Sequence, residues 1–371
     1  MKAWPLFGIT LIEALLLAAH WFIYCTWIAF WPTISPQRVL LLGAVLLLLS
    51  LSFVPAALLA FFHGNRLVSL LYRFASVWLG FLNYFFLAAC FSWLTSFALA
   101  ALGLHVDKPF IAVAFNSIAV AVSIYGLVNA RILRIRHISI QLPGLPETWR
   151  GRTALLLSDL HLGHMNGRSF SCRIVALAIR LNPSIIFFPG DFFDGVRADS
   201  AALAEPFSRL APPLGCYFTT GNHDEFFSAD HYAEILANNG IHVLSNELIV
   251  VDGLQIAGVS YGDSGSPIRL RAILESFHLD PGRASILLNH APSRLPIVEQ
   301  AGISLQLSGH THSGQLFPFT FLTRRAFGQF THGLHRFGGL QVYTSSGAAS
   351  WGPPMRVGSS PEAVLFTFER A

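Results

Sequence analysis

Two segments decide the fold: TALLLSDLH at residues 153–161 and IIFFPGDFFD at residues 185–194. Each begins with a short apolar run bounded by a polar residue or glycine, which is typical of a buried strand. Each then changes to residues that can bind a metal ion, namely Asp159, His161 and Asp191. In α/β domains the crevice at the carboxyl edge of the sheet is where ligands bind. Both segments therefore predict side chains at one shared site.

Three later segments repeat this arrangement. Metal-ligand residues directly follow an apolar run in GNHD at 221–224, NH at 289–290 and GHTH at 309–312. Residues two apart in an extended segment point the same way, so the two histidines of GHTH can converge. Any one of these clusters could be an ordinary turn or a surface pair. Five clusters in order, each behind an apolar run, indicate a common metal site.

These clusters resemble the sequence blocks of the calcineurin-like metallophosphoesterases. The matching blocks are Asp159-x-His161, Gly190-Asp191-x-x-Asp194, Gly221-Asn222-His223-Asp224, His290 and Gly309-His310-x-His312. The resemblance covers roughly residues 132–371, and the apolar segments before it are similar to those of the membrane-bound bacterial branch. It implies an α/β fold, a two-sheet αββα sandwich with a binuclear metal site.

The resemblance also implies a role for each block. The implied metal ligands are Asp159, His161, Asp191, Asn222, His290, His310 and His312. Asp159, His161 and His312 would hold one ion, and Asp191 would bridge to the second. Asn222, His290 and His310 would complete the second ion. His223 would be the catalytic histidine beside the scissile phosphate, and Asp194 the carboxylate that orients it and keeps it protonated.

The ligand chemistry predicts the cofactor, two divalent metal ions. Imidazole and carboxylate ligands without thiolates favour Mn, Fe or Zn over Ca or Cu(I), and the four cysteines form no metal-binding pattern. Two ions about 3.5–4 Å apart can clamp a phosphoryl group for in-line attack. Near the ligands, His164, Asp224 and Ser313 could support the site or be ordinary loop residues.

The first third of the chain predicts a membrane region. Four apolar stretches exceed the roughly 20 residues that a helix needs to cross the hydrocarbon core. They are Pro5–Trp31, Val39–Phe62, Phe74–Ala101 and Pro109–Leu133. We therefore expect a transmembrane region with about four helices at residues 1–133 and a metallophosphoesterase domain at residues 134–371. A charged fraction of 12 %, against about 25 % in soluble domains, excludes a disordered chain and a plain cytosolic enzyme.

The basic charge follows membrane topology and does not indicate nucleic-acid binding. Residues 1–149 carry eight Lys or Arg and three Asp or Glu, whereas residues 150–371 carry sixteen and seventeen. Six basic residues flank the spans on the side of the C-terminal domain, and only Arg38 and Lys108 lie on the other. Positive charge collects on the cytoplasmic side. The expected location is the bacterial inner membrane, with the catalytic domain in the cytoplasm.

The sequence leaves more than one class of substrate possible. The apolar segment Leu316–Leu334, with Arg324 and Arg325 at its centre, could lie on the bilayer and admit a lipid tail, or could cover the domain's own core. The predicted function is hydrolysis of a phosphodiester or pyrophosphate bond in a lipid-linked or amphiphilic substrate. One alternative is a hydrolase of soluble phosphodiesters or phosphomonoesters. Another is a non-catalytic, phosphate-binding membrane signalling or scaffold protein.

Overall fold

The computed structural model describes residues 4–370, which fall into two units. One unit comprises the residues up to Val128 together with Gly352–Met355, and the other comprises Asn129–Trp351 and the residues from Arg356 onward. The regular secondary structure described in the first unit is α-helical, and the second unit is a mixed α/β domain.

Five α-helices form the part of the first unit that the structure describes. They are α1 (Trp4–Phe30), α2 (Pro36–Ser50), α3 (Phe53–Phe62), α4 (Arg66–Ala101) and α5 (Lys108–Asn129). Four segments are long and apolar enough to cross a membrane, as expected: Phe7–Phe30, Pro36–Phe62, Arg66–Ala101 and Lys108–Asn129. The second segment joins α2 and α3 across a break, where the Ser50 and Ser52 hydroxyls donate to carbonyls of the preceding turn.

The two ionisable side chains of the first apolar stretch have different environments. His20 is buried, and its ring nitrogens lie 2.7 Å from the Leu16 carbonyl oxygen and 2.9 Å from the indole nitrogen of Trp78 in α4. Both nitrogens therefore have partners, and His20 joins α1 to α4. Among the described residues, the carboxylate of Glu13 has no hydrogen-bond partner.

Within the described residues, the second unit contains twelve strands and eight α-helices. The strands are β1 (Arg134–Leu142), β2 (Thr153–Leu156), β3 (Ile185–Pro189), β4 (Cys216–Thr219), β5 (Ile241–Val243), β6 (Glu247–Val251), β7 (Leu254–Gly258), β8 (Ser285–Leu288), β9 (Leu305–Ser308), β10 (Gly333–Phe337), β11 (Leu340–Thr344) and β12 (Glu362–Arg370). The helices are α6 (Arg168–Leu181), α7 (Ser200–Ala204), α8 (Asn222–Phe227), α9 (Ala229–Asn238), α10 (Tyr261–Ser264), α11 (Pro267–Ser276), α12 (Leu295–Gln300) and α13 (Phe319–Phe327).

These strands form two six-stranded sheets that pack face to face. The strand orders are β1-β12-β2-β3-β4-β5 and β10-β11-β9-β8-β7-β6. Leu156 and Phe187 of the first sheet share one buried cluster with Ile286 and Leu307 of the second. The outer face of the first sheet packs against α6, and that of the second packs against α11 and α12. This four-layer arrangement confirms the expected αββα sandwich.

The directions of the strands determine where the loops with the predicted ligands lie. In the first sheet β2, β3 and β4 are parallel neighbours, and in the second sheet β8 and β9 are parallel neighbours. Parallel neighbours end at the same edge of their sheet, so each set delivers its following loops to one edge. The five ligand clusters follow the last residues of these five strands. The polar side chains are therefore gathered although they are far apart along the chain.

A buried carboxylate ties the last strand to its surroundings. Glu362, at the start of β12, accepts hydrogen bonds from the Tyr343 hydroxyl at 3.0 Å and the Ser346 amide at 3.1 Å. The His332 imidazole lies 3.0 Å away. Burial raises the pKa of Glu362, but His332 and the two hydrogen bonds outweigh burial and hold the pKa below 4.5, its ordinary value.

Replacing Glu362 with glutamine is expected to destabilise the domain in a pH-dependent way. Because the folded state has the lower pKa, the ionised carboxylate stabilises the fold above about pH 4.5, and this contribution is lost as pH falls through the folded pKa. We expect a loss of about 1.5–3 kcal/mol at pH 7 and convergence with the wild type as the pH falls through the folded pKa. Thermal unfolding of the full chain in detergent measures this.

The matched control is Glu369→Gln, in the same strand but exposed. It should leave the melting temperature within a degree or two of the wild type at either pH, as surface substitutions usually do. A Glu362→Gln deficit that stayed constant from pH 7 to pH 3 would contradict the assigned role of the ionised carboxylate.

Candidate metal centre

The ligand loops adopt a backbone conformation that L-residues rarely take. Positive φ angles between 44° and 70° occur at Asp159, His161, Asp191, His310 and His312. Such left-handed residues cost on the order of 1–2 kcal/mol each. Strain of this kind persists where the surrounding structure enforces it, and it clusters at functional sites. Five of the seven predicted metal ligands are held in this way.

Asp159, His161 and His312 converge as one group, with one ligand atom from each lying within 4.8 Å of the others. The Nε2 atoms of His161 and His312 are 3.1 Å apart, and His312 Nε2 lies 3.5 Å from Asp159 Oδ1. All three side chains are buried. Two imidazoles and a carboxylate that point at one centre can hold a divalent ion.

A second group, Asp159, Asp191 and His290, lies beside the first. Asp191 Oδ2 is 3.7 Å from His161 Nε2 and 3.2 Å from His290 Nε2. The Asp191 carboxylate thus lies between a histidine of the first group and one of the second, as a bridging ligand requires.

The remaining two predicted ligands are in contact with each other. His310 Nδ1 lies 2.9 Å from the side-chain oxygen of Asn222, and the His310 ring is 5.1 Å from that of His290. The structure therefore brings all seven predicted ligands together.

The donor set fits a metal ion in a further respect. His290 Nδ1 is 2.8 Å from the Pro189 carbonyl oxygen, so the imidazole is oriented from outside the site. Its Nε2 atom is buried and faces Asp191 Oδ2 at 3.2 Å without the geometry of a hydrogen bond. A buried polar atom without a partner is costly unless a ligand satisfies it. Metal-bound histidines typically use one nitrogen in this way and donate the other to a carbonyl.

Main-chain amides hold the carboxylates in place. The His223 amide donates to Asp191 Oδ1 at 2.8 Å, and the His310 amide donates to Asp159 Oδ1 at 3.0 Å. A side chain at Gly221 would collide with Asp191, so glycine alone fits there. The carboxylate of Asp224 accepts from the amides of Gly221 at 2.8 Å and Phe193 at 3.0 Å. Asp224 therefore joins the two loops and supports the site.

Burial and neighbouring charges together shift the pKa values of the site's carboxylates and histidines. Burial raises the pKa of Asp191, but His290 and His161 outweigh burial and hold it well below its usual range. Burial lowers the pKa of His290, but Asp191 and Asp159 raise it to about 10. Burial, assisted by His290, lowers the pKa of His310 to about 4. At neutral pH His310 is thus uncharged and offers a lone pair.

The surroundings of His223 differ from the expectation. His223 Nδ1 lies 3.0 Å from the backbone carbonyl oxygen of Asp194 and 3.8 Å from its carboxylate. That carboxylate is nearer to His161 Nδ1, at 3.2 Å. The main chain of Asp194, rather than its side chain, therefore orients the imidazole. Burial and the neighbouring His161 lower the pKa of His223, and they outweigh the carboxylates of Asp191 and Asp194, which raise it.

A family model for calcineurin-like phosphoesterases matches residues 153–314, the range that contains all seven predicted ligands. The chain belongs to the calcineurin-like metallophosphoesterases. It is 34 % identical over 275 residues to a Danio rerio transmembrane protein with metallophosphoesterase domain, a match that covers 68 % of this chain and 62 % of that protein. It is 29 % identical over 258 residues to an uncharacterized metallophosphoesterase of Aquifex aeolicus, covering 68 % and 98 %.

A third relative is an uncharacterized metallophosphoesterase of Campylobacter jejuni, 27 % identical over 257 residues, with 66 % of each chain covered. This metallophosphoesterase thus spans less than two thirds of the length of the Danio and Campylobacter relatives.

A buried arginine that sequence reasoning missed supports the first ligand group of this metallophosphoesterase. The guanidinium of Arg356 is fully buried and donates to the carbonyl oxygens of His312 and Ser346, both at 2.8 Å. It also lies 3.0 Å from His312 Nδ1. Arg356 follows a Gly-Pro-Pro turn 44 residues after His312 in the chain, where no motif marks it.

Replacing Arg356 with methionine is expected to weaken metal binding about 10–100-fold, the usual cost of losing a partner that positions a ligand. Arg356→Lys should recover only part of this, because an ammonium lacks the planar fork that reaches two carbonyls at once. Titration of the stripped protein with Mn²⁺, followed by metal content, measures the affinity. Arg336→Met, an exposed arginine in β10, is the control. A folded Arg356→Met protein with wild-type affinity would refute the role.

Three aromatic side chains outside the ligand blocks border the site, and they too were missed. The Tyr261 ring lies 5.8 Å from that of His290 and 5.9 Å from that of His310. The rings of Phe226 and Trp351 lie 5.1 Å and 5.5 Å from the His223 ring. Only Phe226, three residues after His223, carried a sequence signal, its closeness to a ligand block.

Proposed function

We propose that this chain is a membrane-anchored, binuclear-metal-dependent phosphoesterase, with residues 1–133 as its membrane region and residues 134–371 as its catalytic domain. The position of Asp191 between His161 and His290 carries the proposal. Its Oδ2 atom faces a histidine of each group, whereas Oδ1 accepts from the His223 amide, so Oδ2 could be shared by the two ions. The ligand set favours Mn, Fe or Zn. When bound, two such ions would neutralise charge on the phosphoryl group and activate the attacking water.

The side chains around the two ion positions would orient the ligands and the phosphoryl group. The two ligand groups place the phosphoryl group, and the amides of His223 and His310 keep the Asp191 and Asp159 carboxylates in fixed orientations. His223 donates its Nδ1 proton to the Asp194 carbonyl, so Nε2 would protonate the leaving oxygen only from the imidazolium form of the ring. The lowered pKa of His223 makes that form a stronger proton donor. A positioned general acid of this kind typically contributes about 10²–10⁴-fold to the rate.

The proposed substrate is lipid-linked or amphiphilic, and the hydrolysed bond is a phosphodiester or pyrophosphate. Phe226 and Trp351 contact the His223 ring, yet 61 % and 50 % of their surfaces are exposed. Exposed apolar surface beside a polar site suits a ligand with an apolar body. The four apolar segments, which are long enough to cross a membrane, support a substrate that is present in or at a lipid bilayer.

The test uses the full chain in detergent with Mn²⁺ and a matched pair of p-nitrophenyl phosphodiesters whose second ester group is methyl or decyl. The proposal predicts metal-dependent cleavage with a higher kcat/KM for the decyl ester, and a smaller preference in Trp351→Ala. Equal kcat/KM for both esters would favour a hydrolase of soluble phosphodiesters or phosphomonoesters. Metal and phosphate binding without any cleavage would favour a non-catalytic signalling or scaffold protein.

We further propose that the chain resides in a bacterial inner membrane with its catalytic domain in the cytoplasm. The excess of Lys and Arg in the short loops on the side of the catalytic domain supports this orientation. Protease added to inverted vesicles should cleave the catalytic domain, whereas protease added to right-side-out vesicles should leave it intact. The reverse pattern would overturn the orientation.

A further inference from the structure

Helix α13 presents its apolar side chains to the outside of the domain. Phe319, Phe321 and Leu322 are 48 %, 65 % and 63 % exposed, whereas Thr320 and Thr323 on the other face are half-buried. No residue of this helix is buried. A surface helix normally turns its apolar face to the core. The arrangement in α13 is the reverse, so these side chains do not cover the core of the domain.

The same helix carries an unbalanced positive charge. Arg324 and Arg325 are exposed, and neither forms an ion pair with any described residue. Between Glu299 and Glu362 the sequence contains no Asp or Glu. Arg324 also lines a cavity of about 430 Å³ together with Ser313, the residue after the predicted ligand His312. The outer surface of α13 is therefore both apolar and cationic.

Both ends of α13 are connected to the metal centre. At its C-terminal end the Phe327 ring lies 6.0 Å from that of His310. Before its N-terminal end, Gln315 exchanges two hydrogen bonds with the main chain of Trp351, at 2.8 and 3.0 Å. Trp351 in turn contacts the His223 ring. A ligand lying along α13 would thus reach the site without crossing another layer of the fold.

We propose that the outer surface of α13 docks on an anionic phospholipid surface. Phe319, Phe321 and Leu322 would enter the headgroup and acyl boundary, and the two arginines would pair with lipid phosphates. An amphiphilic substrate could then pass from the lipid surface to the metal centre. This inference rests on the proposed function. The paired arginines and the absence of acidic residues favour anionic lipid over a protein partner, whose apolar contacts would not require them.

The test is hydrogen–deuterium exchange of the full chain in nanodiscs of pure phosphatidylcholine or of phosphatidylcholine mixed with phosphatidylglycerol, an anionic lipid whose negative surface potential attracts basic segments. We expect slower exchange in the peptide covering residues 316–331 when the anionic lipid is present. The difference should disappear in Arg324→Gln/Arg325→Gln. The charge-matched control, Arg180→Gln/Arg336→Gln, replaces two exposed arginines elsewhere and should retain it.

Equal exchange in the two lipids would overturn the docking proposal, and so would protection that persists in the α13 double variant. Exchange is independent of turnover, so the two proposals can fail separately. A protein that cleaves no phosphodiester but shows lipid-dependent protection of α13 would contradict the proposed activity alone. A protein that cleaves both esters without any such protection would contradict docking alone.

Discussion

Replacing His223 with alanine is expected to lower kcat for a phosphodiester by about 10²–10⁴-fold while both metal ions remain bound. The Asp191 carboxylate is held by the main-chain amide of His223, which alanine retains. The imidazole contacts the Asp194 carbonyl and the rings of His161, Phe226 and Trp351. It belongs to neither of the two groups assigned to the ions, although its ligand atom also lies near those of His161 and Asp194. Its loss should therefore remove the proton donor and spare the ligands.

Metal content by mass spectrometry and steady-state kinetics on bis(p-nitrophenyl) phosphate test this separation. His231→Ala is a suitable control, because His231 is an exposed histidine in the neighbouring α9, and this variant should retain wild-type kcat. Loss of either ion from His223→Ala would overturn the assignment and place His223 among the ligands.

Removal of His310 should have the opposite signature, loss of a metal ion together with nearly all turnover. The His310 ring contacts Asn222 and His290, its presumed co-ligands at the second ion. Loss of a partner that only positions a ligand costs about 10–100-fold in metal affinity, so loss of the ligand itself should exceed 100-fold. His310→Asn is preferable to alanine because His310 has a φ of 70°, which asparagine tolerates.

The control for this variant is His278→Asn, since His278 is also left-handed, with φ 47°, but exposed. Both variants change the same side chain on the same type of backbone. His310→Asn should retain about one ion per chain, and His278→Asn should retain two. Two ions in folded His310→Asn protein would remove His310 from the ligand set.

Features that depend on short segments could be predicted from the sequence. A transmembrane helix needs only length and apolarity, so the four spans were found from their composition. The strands before the ligand clusters are buried apolar runs bounded by glycine or polar residues, and β2, β3, β4, β8 and β9 lie where those runs are. Local signals also have limits. Residues 200–209, for example, do not form one continuous α-helix but α7 followed by a 3-10 turn that contains Pro206, which lacks an amide proton.

Features that depend on distant segments could not be predicted. β12 lies inside the first sheet between β1 and β2, although it begins 206 positions after β2 ends, at Glu362 against Leu156. Arg356 lies just before β12, and the pairing of β12 within the first sheet brings this part of the chain close to His312. Whether Leu316–Leu334 faces lipid or covers the core also depends on contacts with distant segments. Its first half is exposed in α13, whereas Phe330 and Leu334 pack against the core.

The sequence by itself determined which residues can bind metal and that each of them follows a strand. It also determined that apolar helices long enough to cross a membrane precede them. Those properties belong to residue types and to runs of fewer than 30 residues. Only the tertiary structure decided the distances, that Asp191 lies between His161 and His290 and that a carbonyl rather than a carboxylate holds His223. Such distances depend on strand pairing and loop strain, which no local segment specifies.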